Sequence, residues 1–252
     1  MQIFLPPSEG KTAPASGAPL DFDSLAFPEL TPLRRELTAE LVEVSARDDA
    51  LSVLKVGTSV APEVRRQRDL LSLPTSHSLE VYSGVLFSAL DVANFTDADW
   101  ARANERIVTF SGLFGMLRPS DRIPAYRLKM GVKLPGGNNT TRWRNTLRDV
   151  GSFDGELIVD ARSGGYQVFS PARATMVEVR AERVKGGKRA VISHDAKRYR
   201  GVLAAALVRE PNAPTSAAEL AEFARVLVDA GHVTSVELHE GKTAQLTLVD
   251  EA

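Results

Sequence analysis

The chain contains no cysteine and only four histidines. Without thiols it has no disulfides, no thiolate metal ligands and no thiol that peroxide could oxidise in a catalytic cycle. His77, His194, His232 and His239 lie far apart, and none has metal-ligand spacing. No metal and no cofactor are expected. A GxSxG nucleophile elbow is absent. Gly10-Lys11-Thr12 resembles the end of a phosphate-binding loop, but the position six residues before the lysine is Leu5, where that loop needs glycine. No apolar run approaches bilayer length, and the start MQIFLPPSEGK lacks the basic-then-apolar layout of a signal peptide. The expected setting is the cytoplasm, with no membrane partner.

What is present is an ordinary globular composition. Of 252 residues 43% are hydrophobic and 25% charged, enough apolar surface for a real core. Short apolar runs alternate with helical patterns, and no repeat or low-complexity linker divides them. The fold class expected is mixed α/β, one compact domain with a central mixed sheet. The formal net charge of −1 conceals segregation: Arg106 to Arg200 carries 19 Lys/Arg against 8 Asp/Glu, whereas Glu210 to Ala252 has 8 acids and only Arg225 and Lys242. Such segregation gives a nearly neutral protein a positive face that draws anions.

The centre of that basic region reads SGLFGMLRPSDRIPAYRLKMG, from Ser111 to Gly131. A β-branched run, Ile107-Val108-Thr109-Phe110, precedes it and reads as a buried strand. Gly112 and Gly115 permit a tight turn or close backbone approach, and Pro119 and Pro124 forbid a long helix. Arg118, Arg122, Arg127 and Lys129 face only Asp121 as a counter-charge. Cations on a constrained loop past a strand end suit an anion; the alternative is a solvated basic loop.

Helical spacing of Leu33, Leu37, Leu41 and Val44 predicts a helix that Thr31 caps and Pro32 opens. A short helix over Asp49 to Leu54, the hairpin Lys55 to Ser59 and a helix from about Pro62 then look like a helix-hairpin-helix element spanning roughly 49–72. Hairpin N–H groups of Gly57 and Thr58 would meet a phosphate oxygen while Lys55, Arg65 and Arg66 neutralise it. The alternative is a plain helical hairpin with an exposed basic face. Further on, Asp160 and Glu178 stand on expected strands and faintly resemble a metal-dependent nuclease pair, but Arg180 replaces the lysine of that pattern and cannot give up its proton.

Together these residues resemble the YaaA family of bacterial peroxide-stress proteins, over nearly the whole chain. The family carries a stretch close to SGLYGxLRPxDxxxPYRLEMG, and the likeness continues at Val81-Tyr82-Ser83-Gly84, at Trp143 and from Lys197 to Arg200-Gly201. LPPSEGKT is similar to the family's SPAKT but longer by two residues. Lys129 stands where many relatives have glutamate, and Arg162 to Tyr166 only partly matches the family's ASxEY. The resemblance implies a basic cleft, a helix-hairpin-helix element, binding to duplex or branched DNA, and protection against peroxide. It places Lys11, Tyr82, Arg118, Asp121, Tyr126, Arg127, Lys197 and Arg200 in the cleft and supplies no catalytic residue. The partner expected is therefore DNA, bound without sequence preference. A rival expectation is an enzyme acting on a small phosphorylated or nucleotide-like ligand in the same cleft.

Overall fold

Strand β1 (Gln2–Leu5) is apolar on both faces, with Ile3, Phe4 and Leu5 fully buried, as suits a central strand with parallel neighbours. The computed structural model describes residues 1–148, 150, 153–192 and 194–251, with the backbone alone at 194, and places β1 inside an eight-stranded mixed sheet.

From β1 the chain runs through helices α1 (Thr31–Ser45), α2 (Ala50–Val53) and α3 (Ala61–Arg66). Strand β2 (Ser76–His77) and helices α4 (Ser78–Val81), α5 (Val85–Leu90) and α6 (Asp97–Arg106) follow. Strand β3 (Ile107–Ser111) then lies parallel to β1, and β4 (Gly115–Leu117) folds back on β3 as the sheet edge. Strand β5 (Arg122–Ile123) pairs with β2, and β6 (Lys133–Leu134) with β7 (Gly137–Asn138), before helix α7 (Asn139–Leu147). Strand β8 (Leu157–Asp160) joins the other side of β1, again parallel, and β9 (Thr175–Lys185) continues the sheet beyond it. Strand β10 (Lys188–Val191) pairs with the far end of β9. Sequence patterning expects a strand from Ala190 to Ser193, and the last of these residues lies outside the described residues. Helices α8 (His194–Arg209), α9 (Ala217–Phe223) and α10 (Val226–Asp229) precede β11 (Ser235–His239) and β12 (Ala244–Glu251), and β12 runs parallel to β9.

The order β11-β12-β9-β8-β1-β3-β4 has a functional consequence. The chain leaves β1 for β3 on one side and later returns to β8 on the other. The crossovers therefore diverge above the carboxyl ends of β1 and β8, where open α/β sheets form their ligand crevice.

The central basic stretch is mostly core. Gly115 takes φ +70°, and a Cβ there would sit 2.4 Å from the Trp143 ring, so only glycine fits. Trp143 Nε1 in turn donates to the Gly112 carbonyl at 3.0 Å. Arg34, which sequence patterning treats as one more charge on a helix, is fully buried beneath this turn. It donates to the carbonyls of Phe114, Met116 and Ala26 at 2.7–2.9 Å, and burial lowers its pKa to about 10.

Two local expectations change. Thr31 is the first residue of α1 rather than its cap, because a 3-10 turn over Pro28–Leu30 runs straight into the helix. The acidic stretch from Ala217 to Asp229, which in sequence reads as one helix, forms two short ones.

Candidate functional site

The loop after β1 carries Lys11 back against Tyr82, with which it forms an isolated antiparallel bridge. Lys11 is half-buried, and its amino end is the enclosed part. The Nζ atom donates to the Ser8 carbonyl at 2.7 Å and sits 4.3 Å from the Tyr126 ring centroid and 5.3 Å from that of Tyr82. Burial drives its pKa down to about 7, partly opposed by Glu9 and reinforced by Arg127. Tyr82 and Tyr126 are buried and share a 2.9 Å hydrogen bond. Tyr126 also meets Ser111 Oγ, at the end of β3, at 2.6 Å. Burial raises both phenols, Tyr82 to about 12. Tyr166 adjoins this cluster, raised first by burial and then by Glu9.

Arg127 closes one side of the group. Its Nε donates to Glu63 at 2.5 Å, its NH1 to the Glu9 carbonyl, and its backbone N–H to the Gln67 side chain. Lys129 lies 3.7 Å from the Glu9 carboxylate. A cavity of about 50 Å³ opens between Lys11, Tyr126, Ala125 and Ala13 and the α3 residues Glu63 and Arg66.

A larger crevice of about 630 Å³ lies at the divergence of the crossovers. Pro6 to Glu9 form one lip, Arg162 to Gly164 with Tyr166 and Gln167 the other. Val85, Leu86, Phe87, Val191 and Ile192 supply apolar wall, and Lys197 and Arg200 enter from α8. Lys197 is exposed. Arg200 is occupied with the Val179 carbonyl at 3.0 Å, and burial lowers its pKa.

The remaining candidates are placed elsewhere. Arg118 follows β4, which runs antiparallel to β3, so its side chain emerges at the opposite end of the sheet. There it donates to Gln2 Oε1 at 2.8 Å and to the carbonyls of Glu105 and Ile107 at 2.9 and 3.1 Å. Asp121 is buried at that end and accepts from the backbone N–H groups of Ala26 and Arg118 at 2.8 and 2.7 Å. Burial raises its carboxyl pKa, and those two hydrogen bonds hold it back down. The structure thus brings Lys11, Tyr82, Tyr126 and Arg127 together, sets Lys197 and Arg200 in the neighbouring crevice, and separates Arg118 and Asp121 from both.

On the segment from α2 to α3, Lys55 turns the chain with φ +54°. Lys55, Gly57, Thr58, Arg65 and Arg66 are all exposed. The three cations have no carboxylate partner, and the N–H groups of Gly57 and Thr58 have no intramolecular acceptor, among the described residues. Exposed arginines elsewhere are often paired: Arg47 with Asp49, Arg189 with Glu182 and Glu237, Arg209 with Asp91.

Asp160 and Glu178 face each other in register on β8 and β9. Arg162 takes both oxygens of Asp160, through Nε at 2.8 Å and NH2 at 2.9 Å, and Arg180 reaches Glu178 at 3.1 Å. That pair is therefore an arginine partner rather than an open cation seat. Among the described residues no group of three or more His, Cys, Asp or Glu is placed to hold a metal. Also among them, no helix is long and apolar enough to cross a membrane.

Sequence reasoning missed Ser111, Tyr166 and Glu63 as members of the Lys11 group. A serine ending a buried strand was the one available signal for Ser111. Nothing in the sequence brings Tyr166 or Glu63 to Lys11.

A family model described as peroxide stress protein YaaA matches residues 1–226. The chain is 44% identical to a UPF0246 protein of Corynebacterium efficiens, covering 99% of this chain and 100% of that one. It is 38% identical to a UPF0246 protein of Streptomyces coelicolor, over 94% and 93% of the two chains. An uncharacterized protein of Campylobacter jejuni is 30% identical over 81% of this chain and 82% of its own length. Matching along most of its length, this chain belongs to the peroxide stress protein YaaA family.

Proposed function

We propose that this protein binds the sugar-phosphate backbone of DNA in the peroxide-stress response, through a helix-hairpin-helix element formed by α2, the Lys55 turn and α3. One observation carries the reading: among the described residues, Lys55, Arg65 and Arg66 are exposed and without a carboxylate partner, on the same short segment as the backbone amides of Gly57 and Thr58, which have no acceptor. Free cations flanking free N–H groups match a phosphate and carry no base-reading geometry. With no thiol to reduce peroxide, a protective role falls naturally on the DNA that peroxide damages. The cleft version of the idea draws support from Lys11, Arg127, Lys197 and Arg200 only, since Arg118 serves the opposite end of the sheet.

If about six phosphates are neutralised, the log–log dependence of affinity on salt has a slope near −5. Fluorescence anisotropy of a labelled duplex across a salt series measures it, and a flat response refutes phosphate-driven binding. A second reading has its own observation. The crevice of about 630 Å³, with apolar walls and Lys197 at its rim, suits a small phosphorylated or nucleotide-like ligand. Tight binding of free nucleotide with no binding of duplex would select that reading.

A further inference from the structure

The Lys11 group contains a proton imbalance. Ser111 Oγ accepts from the backbone N–H groups of Leu113 and Phe114 at 3.1 and 2.9 Å. Both of its lone pairs are then used, so its hydroxyl hydrogen goes to Tyr126. The Tyr126–Tyr82 bond consumes one of two phenol hydrogens. The other has no acceptor among the described residues, although both rings are 2–3% exposed. A buried donor without a partner costs stability unless something arrives to accept from it.

Over the rings that carry this donor, 4.3 Å from the Tyr126 centroid and 5.3 Å from that of Tyr82, stands an amine in an environment that suppresses its charge. Among the described residues, Lys11 Nζ has one carbonyl acceptor, Ser8, and no carboxylate within ion-pair distance. Its lowered pKa, about 7, leaves much of it as free amine at neutral pH. A desolvated lysine amine beside a hydroxyl donor is the equipment for imine formation with a carbonyl. The cavity at Lys11 holds about 50 Å³ and is lined by Arg66, one of the free cations of the phosphate-binding face. That volume admits a small carbonyl terminus rather than a nucleobase.

We infer that Lys11 is a nucleophile that forms an imine with an aldehyde, namely the C1′ aldehyde of an abasic deoxyribose whose flanking phosphate lies on Arg66. The inference rests on the DNA-binding reading for its substrate and on the Lys11 geometry for its chemistry. The Nζ lone pair attacks C1′, the C–N bond forms, and the carbonyl π pair moves to oxygen. The spare phenol hydrogen of the tyrosine pair protonates that oxygen. The phenolate takes a proton from the nitrogen to leave a neutral carbinolamine. The same phenol then protonates the hydroxyl so that the C–O bond breaks as water while the nitrogen lone pair forms C=N, and the iminium N–H returns that proton to the phenolate. In sum, both amine hydrogens leave with the carbonyl oxygen as water, and no oxidant or reductant takes part.

The test uses the full chain, a duplex with one abasic site, and sodium borohydride to reduce any imine to a stable amine. Peptide mapping of the wild-type adduct is expected to place the DNA on Lys11, with no adduct on intact duplex. Lys11→Arg, which keeps the charge but cannot supply a free amine, is expected to lose the adduct while its circular dichroism spectrum stays that of the wild type. A parallel reaction with glycolaldehyde phosphate and cyanoborohydride separates the two foundations. Marking of Lys11 by the small aldehyde alone, with no duplex binding by anisotropy, overturns the DNA substrate and upholds the lysine chemistry. Salt-dependent duplex binding with adducts absent, or scattered over surface lysines, overturns the inference and leaves DNA binding standing.

Discussion

Replacing Lys11 by methionine keeps a long unbranched side chain over the Tyr126 ring and removes the amine. In the folded protein the Lys11 pKa falls from 10.5 to about 7, chiefly because the amino end is enclosed. Between those two values the unfolded chain binds a proton that the folded one does not, so wild-type stability rises with pH across that window. The burden is full below pH 7, where both states are protonated, and vanishes above the unfolded pKa. One proton of difference is worth about 1.4 kcal/mol per pH unit, so the wild type should gain about 3 kcal/mol on Lys11→Met between pH 7 and 9.5. Losing the Ser8 hydrogen bond shifts the variant by about 1 kcal/mol at every pH and leaves the slope untouched. The window stops short of the tyrosines, whose raised values would add an opposite slope above pH 10. Urea unfolding of both proteins at several pH values gives the difference directly. A pH-independent difference would show that the amine is solvated, and the enclosed-lysine account would fall with it.

Arg34→Met leaves the carbonyls of Phe114, Met116 and Ala26 without their donor, and chemical denaturation should report a loss of about 3 kcal/mol or more. Gly201→Ala drives a Cβ to within 2.2 Å of the Leu86 carbonyl where α8 crosses α5; the helices must part, and a lower melting temperature with at least about 1–3 kcal/mol lost is expected. Arg118→Gln removes donors to Gln2, Glu105 and Ile107 at the sheet's far end, so it should lower stability and leave duplex affinity unchanged in a binding titration.

The sheet was legible because its central strands are short, apolar and β-branched, and breakers bracket them. Gly112 and Gly115 announced a close approach, though not that Trp143 would be the neighbour. The turn from Lys55 into α3 was readable from local residues alone, since every part of it lies within twenty positions. The Lys11 group was less so: its members come from the loop after β1, the end of α4, the end of β3 and the stretch beyond β5. Only the sheet order brings them together. Charge misled where burial decided the role. Arg34, Arg118 and Arg162 look like solvated cations in sequence, yet each spends its donors on backbone carbonyls or a buried aspartate.

The central claim is that unpaired cations on the α2–α3 segment hold DNA phosphates. Titrating a labelled duplex with wild type and with the triple variant Lys55→Gln, Arg65→Gln, Arg66→Gln, each across a salt series, tests it most directly. Three lost phosphate contacts should flatten the log–log salt slope by about 2.7 and weaken binding at every salt concentration. Identical slopes and affinities for the two proteins would contradict it.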